Sequence, residues 1–219
     1  MILDLHCHSE RSEDSRAPLE TYLKWLQRKR DVLPIDGIVL TEHRQWDPAA
    51  DYRLLEDEYG FRILRGAEVE TDYGHVLVYG VNDDMTRRFD FADVRLPAQE
   101  VIREVARMGG VAAPCHPGRP TIGLCEHYQA KGPLEDVVAV EALNGGSRKG
   151  ENERVQAVID EHGYGAFGGS DAHLVSLIGI CATEFDDEIH TIDDLVAALA
   201  RPERYRPVDF RERLPAARG

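Results

Sequence analysis

Apolar residues recur along this chain in two spacings. Short runs at 2–6, 37–41, 62–64, 76–79, 111–113, 137–140 and 166–168 have the length and branched-residue content of buried strands. Longer amphipathic stretches lie between them. One covers 19–29 behind Pro18, and another covers 51–59. A third, 97–108, repeats apolar residues at Val101, Ile102, Val105, Ala106 and Met108 and stops at Gly109-Gly110. A fourth, 152–162, stops at Gly163, and the last, 191–200, starts at Thr191 with Asp194 three residues on, the layout of a helix cap. Strand–helix alternation of this kind predicts an α/β fold built on a parallel sheet or barrel.

No internal repeat, low-complexity tract or long linker interrupts the pattern, so a single domain over 1–200 is expected. Residues 201–219 read as an Arg/Pro-rich C-terminal tail, with Arg201, Arg204, Arg206, Arg211, Arg213 and Arg218 interleaved with Pro202, Pro207 and Pro215. Such a tail is expected to be loosely ordered and solvated, with a subunit contact as the alternative.

Composition narrows the class. With 219 residues and 42% hydrophobic content the chain can bury a sizeable core. No apolar run approaches the roughly 18 residues of a membrane span, and the start, Met1-Ile2-Leu3-Asp4-Leu5-His6, has neither a basic region nor a cleavable apolar segment. A cytoplasmic protein with no membrane partner is expected. The four cysteines, Cys7, Cys115, Cys125 and Cys181, form no C-x-x-C pair and read as reduced, packing thiols. A net charge of −14, from 40 acidic and 26 basic residues, disfavours a long nucleic acid, which needs a basic footprint. A small anion drawn to a metal centre stays open.

The chemistry lies in four scattered motifs: His6-Cys7-His8, Thr41-Glu42-His43, Pro114-Cys115-His116-Pro117 and Gly169-Ser170-Asp171-Ala172-His173. A strand alternates its side chains, so His6 and His8 share one face while Cys7 turns away. One His-x-His would arise by chance roughly a third of the time with this histidine content, so no single pair carries the argument. The set does. Each motif sits at or just past a predicted strand end, as does Glu68 after 62–64, and in a (β/α) barrel the carboxyl ends of the strands meet on one rim. His127, His162 and His190 lie outside every motif and are left unassigned.

In order and separation these motifs resemble those of the PHP (polymerase and histidinol phosphatase) domain family. The resemblance runs from residue 2 to about 185 and also covers Ser12-Glu13-Asp14-Ser15, Gly66-Ala67-Glu68 and Gly74-His75-Val76-Leu77-Val78-Tyr79-Gly80. It implies a distorted (β/α)7 barrel with two or three divalent ions at its rim. His6, His8 and Asp171 would hold one, with Glu68 bridging to a second that also takes His75 and His116, while Asp14, His43 and His173 would hold the third. Glu42 stands where the family usually has Asp, at a position not expected to be a ligand.

Six imidazoles and three carboxylates suit manganese, zinc or iron better than magnesium or calcium. Three such ions would leave a net charge of roughly +3, which attracts a phosphate dianion. The activity implied is a metal-dependent phosphoric ester hydrolase. It would act on a small phosphorylated substrate, mono- or diester, of histidinol-phosphate, nucleotide or cyclic-phosphate type, with a metal-bridging hydroxide as nucleophile at neutral pH. Asp171 would orient the hydroxide, and His173 would lend a proton if it were not fully occupied by metal. Arg119 and Arg148 follow predicted strands and are the candidate phosphate contacts, with Lys149 a weaker one. Trp46, Tyr73 and Tyr128 are candidate walls of the substrate site, with core packing the equal alternative for each. Two alternatives stand beside this reading: a 3'-5' exonuclease-like activity on nucleotides or short oligonucleotides, and a non-catalytic module that metals merely stabilise.

Overall fold

All seven strands expected from the apolar runs form, and two more join them. The computed structural model describes residues 1–214. Its elements are β1 (Ile2–Cys7), α1 (Leu19–Arg28), β2 (Gly37–His43), α2 (Arg53–Tyr59), β3 (Arg62–Thr71), β4 (Gly74–Tyr79), α3 (Asp83–Arg88), α4 (Ala98–Arg107) and β5 (Val111–Pro114). There follow α5 (Leu124–Lys131), β6 (Ala139–Asn144), α6 (Val155–His162), β7 (Gly165–Gly169), β8 (Cys181–Phe185), α7 (Ile192–Leu199) and β9 (Tyr205–Asp209). Local rules explain the helices. Ala98, Val101, Ile102 and Val105 bury one face of α4, and Thr191 with Asp194 closes a reciprocal capping box on α7.

Seven strands form one mixed sheet in the order β5-β4-β3-β2-β1-β8-β9, while β6 and β7 pair separately in parallel. β1, β2 and β3 run parallel, as the βαβ rhythm predicts. Beyond them the rhythm breaks: β4 is antiparallel to β3, β5 to β4, β8 to β1 and β9 to β8. For β4 the reason is connection length. Only two residues separate β3 from β4, enough for a hairpin and far too few for a parallel crossover. Gly74 makes that turn at φ +96, and a Cβ there would lie 2.1 Å from the Ile122 carbonyl oxygen.

The β6–β7 pair closes the curl. Past β7, the Asp171 amide donates to the His6 carbonyl at 2.7 Å, and the His8 amide donates to the Ala172 carbonyl at 3.0 Å. On the other side, the His116 amide donates to the Glu141 carboxylate at 2.7 Å. The result is a distorted α/β barrel in one domain. Leu3, Leu5, Val39, Leu77, Tyr79 and Phe167 share one apolar cluster, and α1 packs Tyr22, Leu23 and Leu26 against Ile38 and Leu40 in another. A register shift between Asp4 and Cys7 puts a bulge in β1, which explains why Cys7 joins the second cluster while Leu3 and Leu5 join the first.

The solvated tail is corrected. Residues 205–209 form β9 on the sheet edge, with Tyr205 and Phe210 buried, because alternate apolar residues there cover β8. Arg201 and Arg204 pair with Asp187, and Arg206 pairs with Glu184. Pro215 and Arg218 lie outside the described residues. Among the described residues no helix is long and apolar enough to cross a membrane.

Candidate metal centre

The hairpin that breaks the parallel rhythm also builds the site. Because β4 runs antiparallel, its amino end, with His75, lies beside the far half of β3, where Glu68 sits. β5 runs back again and delivers His116 at its carboxyl end. Thus β1, β3, β4, β5 and the segment after β7 all reach one rim.

Glu68 is the hub, fully buried, with its two oxygens facing different donors. Its Oε2 lies 2.9 Å from His6 Nε2 and 3.1 Å from His8 Nε2, and Asp171 Oδ1 lies 3.4 Å from both of those nitrogens. Its Oε1 lies 2.7 Å from His75 Nδ1 and 3.1 Å from His116 Nε2. A third group is more open: Asp14 Oδ2 lies 3.3 Å from His43 Nε2 and 3.1 Å from His173 Nε2, and the His8 ring stacks on His43 at 4.2 Å. All nine residues expected as ligands therefore meet at one rim, in the three groups that the family resemblance implies.

The donor set fits divalent ions. The two Nε2 atoms of His6 and His8 stand 3.0 Å apart in a fully buried site. Nitrogens so placed either share a proton or face a common cation, and two carboxylates converge on the same point. His116 Nδ1 is buried without any hydrogen-bond partner. Backbone strain accompanies these groups, since His116 sits at φ +32 and Asp171 at φ +52, left-handed values that non-glycine residues adopt at a cost of about 1 kcal/mol or more.

Charge in the metal-free cluster follows from this packing. Burial works against a charged His6, but Glu141, Asp171 and Glu68 outweigh it and hold its imidazolium well above its ordinary range. Burial also opposes charge on His8, yet hydrogen bonds to Asp171 and Glu68 raise it to about 9. Glu68 and Asp171, despite burial, are held well below the usual carboxylate range by their imidazole neighbours. Burial and the nearby charged His8 lower His43. Metal uptake must displace the protons on His6 and His8, so apparent affinity is expected to rise with pH up to about 9. Calorimetric titration in buffers of different ionisation enthalpy reads the protons released. For the metal-free fold, a raised imidazole pKa stabilises fully below the ordinary 6.5 and is lost as pH rises through about 9.

Several residues that support the ligands were not foreseen. Glu141 Oε1 holds His6 Nδ1 at 3.0 Å, which aims Nε2 at Glu68, and Glu141 Oε2 accepts from the His116 amide and the Asn144 side chain. A charged residue inside the apolar run 137–143 was the available signal. Glu42 accepts from the Ser9 and Ser12 hydroxyls and from the Ser9 amide, fixing the loop that carries Asp14. Asp4, buried and raised to about 6 by that burial, accepts from the amides of Ser170 and Gly179.

Gly169 allows β7 to approach β1 closely beside the donors. A Cβ there would stand 2.5 Å from His6 Cβ and 2.8 Å from both the His6 nitrogen and Glu141 Oε1. Gly169→Ala is expected to displace His6 and weaken metal uptake by about tenfold or more, read by competition with a chromophoric chelator.

The centre opens into a cavity of about 550 Å3, lined by Asp14, Arg119, Arg148, Asp171, His173 and the exposed Leu174 among others. Arg119 and Arg148 reach the rim, as expected, but Arg119 is not free: its guanidinium donates to Asp171 Oδ2 at 2.8 Å and to Asn144 Oδ1 at 3.1 Å. Lys149 lines the adjoining cavity, with Arg148 between the two. The aromatic walls are corrected. Trp46 packs under Arg65 at 4.6 Å, Tyr73 under Lys131, and Tyr128 bonds Tyr164 at 2.7 Å, so apolar packing rather than the rim takes all three. His127, His162 and His190 stay outside the cluster; His127 faces the Thr121 carbonyl, and His162 stacks on Tyr164.

The rim thus gathers three groups of potential metal donors, two of them sharing one carboxylate. A family model described as PHP-associated matches residues 149–203, the stretch that contains Asp171 and His173. That match agrees with the resemblance to the PHP domain family that the sequence motifs carry. The chain is 25% identical over 175 residues to an uncharacterized protein of Methanocaldococcus jannaschii, covering 76% of this chain and 96% of that one. Among solved structures it resembles PsfC from Pseudomonas syringae, at 20% identity and a TM-score of 0.70, over 97% of this chain and 92% of that chain. It also resembles the lesion-specific endonuclease EndoQ of Pyrococcus furiosus, at 15% identity and a TM-score of 0.65, over 94% of this chain but 57% of that one.

Proposed function

We propose that this protein is a metal-dependent phosphoesterase acting on a small phosphate mono- or diester. The observation that carries this reading is Glu68, whose two oxygens face separate sets of imidazoles, His6, His8 and His43 on one side and His75 and His116 on the other, beside a cavity with two arginines. His6, His8, Glu68 and Asp171 would hold one divalent ion, Glu68, His75 and His116 a second, and Asp14, His43 and His173 a third. Such ions supply Lewis-acid charge and bring the pKa of water they bind down to around 7.

The protein's own groups do the rest. Asp171 presents Oδ1 to the histidines and Oδ2 to Arg119, so it ties the ligand cluster to the cation nearest the substrate cavity. Arg119 holds its planar guanidinium toward a phosphate, ready to exchange part of its bond with Asp171 for substrate oxygens. His173 is about a quarter exposed at the cavity and fixed through Nδ1 at 3.0 Å from the Asp171 carbonyl, which leaves Nε2 toward Asp14 and the opening. There Nε2 would serve as a ligand of the third ion, and only with that ion absent would it carry a proton to hand to a leaving oxygen. Arg119→Ala is expected to raise KM by roughly 10-fold or more with metal content retained, the loss of one charged hydrogen-bonding pair.

A second reading, cleavage of a nucleic-acid phosphodiester, is supported by the likeness to EndoQ, a lesion-specific endonuclease. The net charge of −14 favours the small substrate. The test is a panel of phosphomonoesters, cyclic phosphates, dinucleotides and duplexes with abasic lesions, run with manganese, zinc or iron(II) after elemental analysis. Turnover of small esters alone supports the first reading. Turnover of duplexes alone moves the assignment to a nuclease, and no turnover by fully metallated protein leaves the non-catalytic module.

A further inference from the structure

We propose that Cys115 is a metal ligand whose thiolate joins Glu68 and His116 in holding the second ion, so that the centre prefers a thiophilic ion such as zinc, iron(II) or cobalt(II) over magnesium. This inference rests on the metal centre proposed above and adds a donor that the motif pattern assigned to packing.

On a regular strand, neighbours point to opposite faces, so Cys115 and His116 should not share a target. The strand, however, ends at Pro114, and His116 turns to φ +32. The turn brings Cys115 Sγ to 3.4 Å from His116 Nε2 and 3.5 Å from Glu68 Oε1. With the 3.1 Å between His116 Nε2 and Glu68 Oε1, the three atoms form a nearly regular triangle. In a tetrahedral zinc site with ordinary bond lengths, sulfur lies about 3.5 Å from a nitrogen or oxygen ligand, and nitrogen about 3.3 Å from oxygen. The observed spacings are those of ligands to one ion.

Three further facts separate this thiol from a packing one. It is fully buried, yet His6 and Glu141 also lie within ligand range of its sulfur, so a group of carboxylates and imidazoles surrounds it. Both thiols border an apolar cluster, but Cys7 points to the Val39 carbonyl and, among the described residues, joins no group of candidate ligands, whereas Cys115 joins two. His116, only 1% exposed, has its Nδ1 unpartnered and its Nε2 aimed at Cys115 and Glu68. Ligation is balanced simply: the S–H bond is replaced by a sulfur–metal bond and the proton leaves to solvent. Thiolate is a soft donor, and magnesium and calcium prefer oxygen.

The test is cobalt(II) substitution of the metal-stripped protein. Wild type should show an intense near-ultraviolet thiolate-to-cobalt charge-transfer band that Cys115→Ser and Cys115→Ala lack and Cys7→Ser keeps. Zinc affinity should fall about 10- to 100-fold in the two Cys115 variants, measured by chelator competition. Should both variants misfold, X-ray absorption on wild-type zinc protein decides, through the presence or absence of a sulfur scatterer at about 2.3 Å. Bound cobalt without the band, a band that survives in both variants, or a zinc shell without sulfur overturns the thiolate ligand and leaves the metal centre standing. Failure of wild type to take up cobalt or zinc overturns both.

Discussion

Glu68→Gln is expected to strip the centre of metal and abolish phosphoester hydrolysis while leaving the barrel folded. The glutamine has the same shape, so packing around this fully buried position changes little. Its chemistry changes at both ends. One carboxylate oxygen becomes an amide nitrogen that cannot bind a cation, and the other loses its charge. Since Oε2 faces His6 and His8 while Oε1 faces His75 and His116, both inner groups lose their common donor in one substitution. Losing an outer partner of a metal ligand already costs 10- to 100-fold in affinity, so loss of this shared donor should exceed about 100-fold. The metal-free variant should also melt lower than metal-free wild type, because breaking a buried charge pair leaves His6 with one counter-charge fewer, a cost of about 3–5 kcal/mol. Elemental analysis and scanning calorimetry read the two effects separately. A Gln variant with a full metal complement would remove Glu68 from the centre.

Metal removal from wild type should be the next largest effect. A chelator is expected to end hydrolysis and to lower the thermal midpoint by about 10 °C. At a metal concentration about 1,000 times the dissociation constant, binding contributes about 4 kcal/mol, and a chain of this length shifts roughly 2–4 °C per kcal/mol. The donors come from β1, β2, β3, β4, the loop after β1 and the segments after β5 and β7, so one ion cluster would tie together strands from the whole curl. The metal-free protein should remain folded, because Glu68 and Asp171 are already paired with His6 and His8. Calorimetry with and without chelator, then after restoring zinc or manganese, tests this. An unchanged midpoint after verified metal loss would show that the ions do not fasten the strands.

The order of these effects mirrors what could be read from the chain. β1, β2, β5 and β7 were legible as apolar runs, and α4 and α7 from their periodicity and caps. β3 was read as 62–64 but extends to Thr71, since Glu68 and Glu70 break the apolar pattern where the site needs charge. That misreading hid the hairpin, and with it the antiparallel β4. β8 is only five residues long and is interrupted by Thr183 and Glu184, while β9, at the sheet edge, carries Arg206, Pro207 and Asp209, so neither shows as an apolar run.

The sequence alone determined the donor inventory and which ends of which strands carry it. Those are local matters: a period of two along β1 turns His6 and His8 together, and glycines and caps fix where elements stop. Tertiary structure alone decided strand direction, the division of Glu68 between two donor groups, the hold of Asp171 on Arg119 and the approach of Cys115 to Glu68. The contacts of Glu68 with His6, of Asp171 with Arg119 and of Cys115 with Glu68 join residues at least 47 positions apart. No pattern within a few residues encodes such a contact; the pairing of the strands does.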